Sequence, residues 1–323
     1  MARPKRDEQA FEAAAAVVRA AREADRQHLA FTTPFLASAC LPVSDPGNIP
    51  VYERRNGDTE LTIRPGYTKD PKTGKTRSLG YPSGVLARKT MIHTITEARR
   101  TRRREITLGD GITDFYRTIS PGGAISGGPT GSLTRLRTQS EQLFNAAISI
   151  RVDRMNANDD DDESPTYIKN LTVADEAVLW GNDKKGSGRA VVVLAPTFFN
   201  EILEKAVPLD WNALHAFGDD PTCIDMYIFF TYRFHSLKRA ITISLDDWNE
   251  QFGLYSSIET KEARYKARQG YAKKLARVLK VYDDADVEMT KAGIVLRPSL
   301  THVPLKGMRA VQASLGTQLT LGA

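Results

Sequence analysis

From Tyr81 onward the apolar residues fall into long periodic runs, and the order of those runs repeats. Spacings of three and four predict a helix over 85–100. The β-branched stretch Ile106-Thr107-Leu108 predicts a strand, and 112–119 a short helix. A glycine-rich turn leads to a strongly periodic helix over 131–147, followed by strands at 148–152 and 167–173. The second half runs the same way. Helix 223–235 precedes strand Ile241-Thr242-Ile243, then helices 246–252 and 260–279, then strands 287–290 and 294–297. The two Ile-Thr strands lie 135 residues apart. Helix, strand, short helix, long helix and β-hairpin is the order of a winged helix, a helix-turn-helix variant. The expected fold class is therefore α+β, mostly helical, with two tandem winged-helix domains.

The remaining segments fit around that repeat. Residues 1–55 are expected to be a helical or flexible arm, with Phe11, Ala14, Val18, Ala21 and Arg22 at helical spacing. The first domain is placed at 56–195. Residues 32–80 read as loop, broken by one hairpin strand at Glu60–Arg64. A strand at 190–195 and a connecting helix within 196–210 follow, with Pro196 at its start and Pro208 past its end. The second domain spans 211–303. Ser244 before Asp246 and Asp247 reads as a helix N-cap. Residues 304–323 mix Gly, Gln, Ser and Thr and read as a mobile tail.

The polar face of each long helix carries the functional signal. On 131–147, Leu133, Leu136, Ser140, Leu143, Phe144 and Ala147 share one face. Opposite stand Arg135, Thr138, Gln142 and Asn145, with Gln139 beside them. Arg reads guanine edges bidentately, and Asn or Gln reads adenine. A merely solvated face would favour Glu and Lys. On 260–279 the apolar stripe runs Ala263, Ala267, Tyr271, Leu275, Val278, Leu279, Tyr282. Lys266, Lys273, Arg277 and Lys280 oppose it, Gln269 lies between, and Lys261, Arg264 and Arg268 flank its first half. From Lys261 to Lys280 there are eight basic residues and one acid, Glu262. A helix balanced for solubility mixes signs through i,i+4 pairs, so a nearby polyanion is the better reading. Arg99, Arg100, Arg102, Arg103 and Arg104 end the first helix. The helix dipole accounts for one or two of them, and phosphate contact accounts for five in six positions.

Composition narrows the rest. Lys and Arg total 45 against 39 acids, a net charge of +6, and the excess is clustered as in nucleic-acid binders. With 41% apolar residues the chain has enough core-forming material to exclude disorder throughout. No run approaches the roughly 18–20 apolar residues of a membrane span, and the basic start lacks the apolar core of a secretory signal. Cys40 and Cys223 stand without partner motifs, which excludes a disulfide framework or a cysteine zinc site and suits a reducing cytoplasm. The acidic run at 159–163 lacks the spacing of a calcium loop and reads as an exposed loop. Pro71-Lys72-Thr73-Gly74-Lys75-Thr76 looks like the tail of a phosphate loop, but Lys69 stands where its first glycine is required. The five histidines contain no His-x-His pair. No serine elbow or dinucleotide fingerprint occurs. No catalytic residue, metal or cofactor is expected.

Tyr81-Pro82-Ser83-Gly84, Thr96-Glu97-Ala98-Arg99 and Ile106-Thr107-Leu108-Gly109 form an uncommon combination. With Leu136-Arg137-Thr138-Gln139 and Leu143-Phe144, they resemble the plasmid-encoded RepA replication initiators, especially those of IncW-type plasmids. The resemblance is strongest over 81–193 and continues to about Arg297. The chain departs from it at Ala87-Arg88, where Pro-Arg is expected, and at His93-Thr94-Ile95, where relatives carry a tryptophan. It implies binding to repeated origin sequences (iterons) in double-stranded DNA, local strand opening, and recruitment of a host initiator and replicative helicase. It also implies monomers at the origin and a homodimer at the protein's own promoter, in the bacterial cytoplasm with the plasmid. The alternatives are a winged-helix transcriptional repressor and a protein whose basic helix meets an acidic partner.

Overall fold

A computed structural model describes residues 3–23, 28–70, 72–153, 166–181 and 188–303. The acidic run at 159–163 and the tail at 304–323 lie outside the described residues. In chain order the elements begin with α1 (Arg3–Glu23), β1 (Leu29–Thr32), α2 (Pro34–Ser38), β2 (Tyr52–Asn56), β3 (Thr59–Arg64), β4 (Tyr67–Lys69) and β5 (Thr76–Ser78). Next come α3 (Gly84–Thr101), β6 (Glu105–Thr107), α4 (Ile112–Ile119), α5 (Ser132–Asn145), β7 (Ala147–Asp153), β8 (Thr166–Thr172), β9 (Ala174–Val178) and β10 (Val191–Leu194). A connecting stretch holds α6 (Pro196–Lys205), β11 (Val207–Asp210) and α7 (Trp211–Ala216). The last group is α8 (Pro221–Phe234), β12 (Ile241–Ile243), α9 (Leu245–Phe252), α10 (Lys261–Val281), β13 (Val287–Met289) and β14 (Ile294–Leu296). The fold is α+β.

The internal repeat is present in the strand pairing. β6, β10 and β9 form one three-stranded antiparallel sheet in that order, and β12, β14 and β13 form another. In each, the short strand after the first helix pairs with the last strand of the unit. Ser244 Oγ accepts from Asp247 N at 3.1 Å, so the predicted cap opens α9. Thr260 Oγ1 does the same for α10, accepting from Ala263 N. At the far end of α9, Gly253 adopts φ +59 against the Arg54 side chain, where a Cβ would collide with the guanidinium.

One expected hairpin forms, with β7 (Ala147–Asp153) antiparallel to β8 (Thr166–Thr172), but it joins a different sheet. Strands at 148–152 and 167–173 do form, as β7 and β8, but they do not pair with β6. They extend β2 and β3 into a four-stranded sheet of order β2-β3-β7-β8. The hairpin against β6 is β9–β10. β9 (Ala-Asp-Glu-Ala-Val) buries only Ala174, so it carries no two-residue alternation for a sequence pattern to catch. Residues 32–80 hold more structure than one strand. Pro65 and the glycines between β2 and β5 mark the ends of short elements rather than one long loop.

Two apolar clusters fill the molecule. One gathers α1, α7, α8, α9 and α10, and the other the β2-β3-β7-β8 sheet, α4, α5, α6 and the β6-β10-β9 sheet. α3 serves both. Its Ala87, Met91, Ile95 and Ala98, spaced four, four and three, face the first-unit cluster. Val85 and Ile92, on another face, join the second-unit cluster. Arg88 shares that second face. Its Nε and Nη2 donate to the two Asp225 carboxylate oxygens of α8 at 2.7 and 2.6 Å. The remaining N–H groups reach the Pro42, Gly84 and Leu41 carbonyls at 2.9, 2.8 and 2.6 Å. Burial opposes the charge on Arg88, but the Asp225 carboxylate overcomes it and holds the guanidinium above its usual range. Asp225→Ala should cost about 3–5 kcal/mol, the usual penalty for stranding a buried charge. Denaturant unfolding checks this, and a loss below about 1 kcal/mol would contradict it.

His302 closes the second-unit core. It is fully buried, and its Nδ1 hydrogen-bonds the Tyr227 hydroxyl at 2.8 Å. Burial pushes its pKa down to about 3, so the folded ring is neutral. An unfolded histidine titrates near 6.5. Between those values the unfolded chain binds the extra proton. Stability is therefore full above about pH 6.5 and falls as pH drops towards 3. Unfolding midpoints at pH 7, 5 and 4 should fall for the native chain and fall less for His302→Phe. Parallel declines would contradict this.

Candidate nucleic-acid interface

α5 and α10 follow the short helix of their units, the position of the groove-entering helix in helix-turn-helix proteins. On α5 the inward face is Leu136, Ser140, Leu143 and Phe144, as the periodicity predicts. Arg135, Thr138 and Asn145 are exposed along the opposite side, with Glu141 among them. Arg135 and Thr138 have no side-chain hydrogen bond or ion pair among the described residues. Asn145 Nδ2 donates to the Glu141 carbonyl at 2.8 Å.

The two glutamines are committed inside the protein. Gln142 is buried, and its Nε2 donates to the Leu79 carbonyl at 2.7 Å. Gln139 Oε1 accepts from Ser83 N at 2.6 Å, just before the start of α3. These side chains tie α5 to the segment leading into α3. Helical spacing alone places Gln142 on the polar face with Gln139 beside it, and only the packing of residues 79–83 reveals their partners.

Of the eight cations of α10, Lys261 is exposed without a side-chain partner among the described residues, Lys274 pairs with Asp220 at 2.6 Å, and the other six fall into three groups. Lys266 and Lys273 are exposed, seven residues apart and so on one side, with no side-chain partner among the described residues. Gln269 lies between them and donates to the exposed Tyr265 hydroxyl at 2.7 Å. Arg264 and Arg268 are half-engaged. Arg264 makes a bidentate pair with Asp246 of α9 at 2.6 and 2.7 Å. Arg268 donates to the Thr290 and Lys291 carbonyls and so fixes the β13–β14 turn. The third group faces α1. The Arg277 guanidinium stacks 4.4 Å from the Phe11 ring centre, and Lys280 pairs with Glu12. Arg19 donates to the Lys280 carbonyl, and Arg22 pairs with Asp283 at 2.9 Å and with Asp284. α1 thus covers the C-terminal part of α10, through an apolar face of Phe11, Ala15 and Val18.

The arginine cluster also divides. Arg99 reaches the Leu203 carbonyl, and burial lowers its pKa with help from nearby Arg102. Arg100 pairs with Glu97 at 2.6 Å, and that hydrogen bond raises its pKa. Arg104 bridges the Leu194 carbonyl and Asp175, joining β6 to β9 and β10. Arg102 ends α3 in the left-handed region at φ 55 and is exposed, as is Arg103. Arg103 lines a cleft with Arg100, Glu97, Glu105, Thr107 and Arg189. Arg189, which no sequence pattern singles out, enters because β10 pairs with β6. Its Nη2 donates to Thr107 Oγ1 at 3.0 Å.

The geometry therefore leaves Arg102, Arg103, Arg135, Thr138, Lys266 and Lys273 open to a ligand. It holds Gln142, Arg277 and Lys280 in packing roles. Among the described residues no cluster of His, Cys, Asp and Glu could hold a metal. No described helix is long and apolar enough to cross a membrane. Cys40 and Cys223 are free and buried.

Residues 81–247, just over half the chain, match the family model described as plasmid encoded RepA protein. Among curated proteins none matches the chain. Two crystal structures of RctB domains 2 and 3 are similar at a TM-score of 0.47 and 12% identity. One covers 80% of this chain and 95% of that chain, and the other 82% and 96%.

Replacing Lys266 and Lys273 together with alanine should weaken DNA binding and reduce the slope of log K against log salt by about two. Arg277→Ala should leave that slope unchanged and lower thermal stability, because it removes the contact with Phe11. Binding titrations across a salt series with melting curves separate the two. An equal slope change for Arg277→Ala would contradict its packing role.

Proposed function

Because this chain belongs to the plasmid-encoded RepA family and is a plasmid replication initiator, we propose that it binds repeated origin sequences through two tandem winged-helix units. The observation that carries this reading is the repeated sheet. β6-β10-β9 and β12-β14-β13 share one strand order, and each flanks a long helix with an exposed polar or basic side. In this reading α5 offers Arg135 and Thr138 to base edges of one major groove, and α10 enters another with Gln269 at base edges and Lys266 and Lys273 on the phosphates beside it. Arg102 and Arg103 neutralise backbone phosphates and fix the register. Gln139 and Gln142 hold α5 against α3, and Arg277 and Lys280 hold α10 against α1. The chemistry is non-covalent. Occupying many adjacent repeats would bend the DNA and strain a neighbouring AT-rich segment until it opens. Recruitment of a host initiator and helicase in the bacterial cytoplasm, and a dimer at the protein's own promoter, complete the reading.

Footprinting on DNA that carries the native upstream region, across a salt series, tests it. Protection recurring at intervals near ~20 base pairs, about two helical turns, is the expected result. One short palindrome would instead favour a repressor. No protection above non-specific background, even at low salt, would overturn DNA reading by either helix.

A further inference from the structure

The strands β4 and β5 form a two-stranded ribbon that joins no other sheet. It spans Tyr67 to Ser78 and carries Lys69, Lys72, Lys75 and Arg77 against one acid, Asp70. All four cations are exposed. None makes a side-chain hydrogen bond or ion pair among the described residues. The lone acid is occupied with the turn. Asp70 Oδ1 accepts from Lys72 N at 2.9 Å, from Thr73 N at 2.8 Å and from the Thr73 hydroxyl at 3.1 Å. Asp70 N donates to the Lys75 carbonyl, Gly74 N donates back to the Asp70 carbonyl, and Gly74 takes φ +67 to close the loop.

The ribbon's charge follows from its pleat. Lys69 pairs with Thr76, and Thr68 with Arg77, so the strand cations sit on opposite faces. Neither strand has an apolar face to lay on the core. A free two-stranded hairpin is marginal in water, and here the base is pinned. Leu79 N donates to the Gly66 carbonyl at 2.9 Å, and Gln142 of α5 holds the Leu79 carbonyl. Gly66 lies against Asn145, where a Cβ would come within 2.6 Å of the asparagine Cβ. A rigidly tethered arm of one charge sign therefore starts at the C-terminal end of the exposed side of α5. A solvated hairpin kept for solubility would mix signs.

We propose that the β4–β5 ribbon is a DNA-contacting arm, which places its four cations on backbone phosphates beside the groove entered by α5. This rests on the DNA-binding reading above. The arm adds affinity and salt dependence, and little sequence discrimination, because phosphates carry no direct sequence information. It also gives residues 69–77 a task that a nucleotide-binding loop does not.

The test is binding of the full chain to its native upstream DNA, comparing the unaltered protein with K69A/K72A/K75A/R77A. Expected is a reduction of two to four in the slope of log K against log salt, at ~0.9 per lost phosphate contact. Hydroxyl-radical protection should also disappear on one flank of each protected repeat. K72A/K75A, confined to the turn, should give about half the slope change, and it decides the question if the fourfold variant does not melt cooperatively. Slope and protection unchanged, with the unaltered chain still binding, would overturn the arm alone. An unaltered chain that binds no DNA would overturn the DNA reading and the arm with it.

Discussion

A guanidinium sealed between two helices must place all five of its N–H groups or destabilise the fold around it. Arg88 places all five, two on Asp225 of α8 and three on backbone carbonyls, at 2.6 to 2.9 Å. The planar fork of arginine meets a carboxylate bidentately and still has N–H groups for the Leu41, Pro42 and Gly84 carbonyls, whereas a lysine has three donors on one atom. The pair joins the first helix of one repeated unit to the first helix of the other and anchors the chain ahead of α3. The apolar faces of α3 complete the union, since the same helix feeds both cores. The two long helices consequently belong to one packed body. A site read by both must match their spacing.

That packing also decides which charges remain for a ligand. α1 takes Arg277 and Lys280 of α10 through Phe11 and Glu12. The β13–β14 turn takes Arg268, and α9 takes Arg264. Among the described residues, Lys261, Lys266 and Lys273 are the exposed cations of α10 left without a side-chain partner. On α5 the glutamines serve the segment before α3, and the open residues concentrate at Arg135 and Thr138. Each helix keeps a narrow exposed polar surface, and most of its other polar residues are engaged in packing.

Most elements were legible in the chain because helical periodicity survives burial on one side. Leu136, Ser140, Leu143 and Phe144 marked α5, and Ala267, Tyr271, Leu275 and Val278 marked α10. Periodicity does not report partners. Gln142 sits on the polar side by spacing, yet folds inward because Leu79 presents a carbonyl there. Arg277 looks like a phosphate ligand until Phe11 of α1, 266 residues upstream in the chain, stacks on it. β9 escaped notice because only Ala174 of its five residues is buried. The assignment of β7 and β8 to the wing failed for a related reason, since strand identity is local and sheet membership is set by long-range pairing with β3.

The claim that both long helices enter DNA is tested most directly by tethered cleavage. Cys40 and Cys223 are buried, so a cysteine introduced by Thr138→Cys or by Lys273→Cys offers the accessible thiol for an iron chelate. On DNA carrying one protected repeat, each tether should cut its own short patch. The two patches should fall about one helical turn, or a whole number of turns, apart. Cleavage from one tether alone would restrict recognition to that unit. No cleavage from either, with binding intact, would contradict the account.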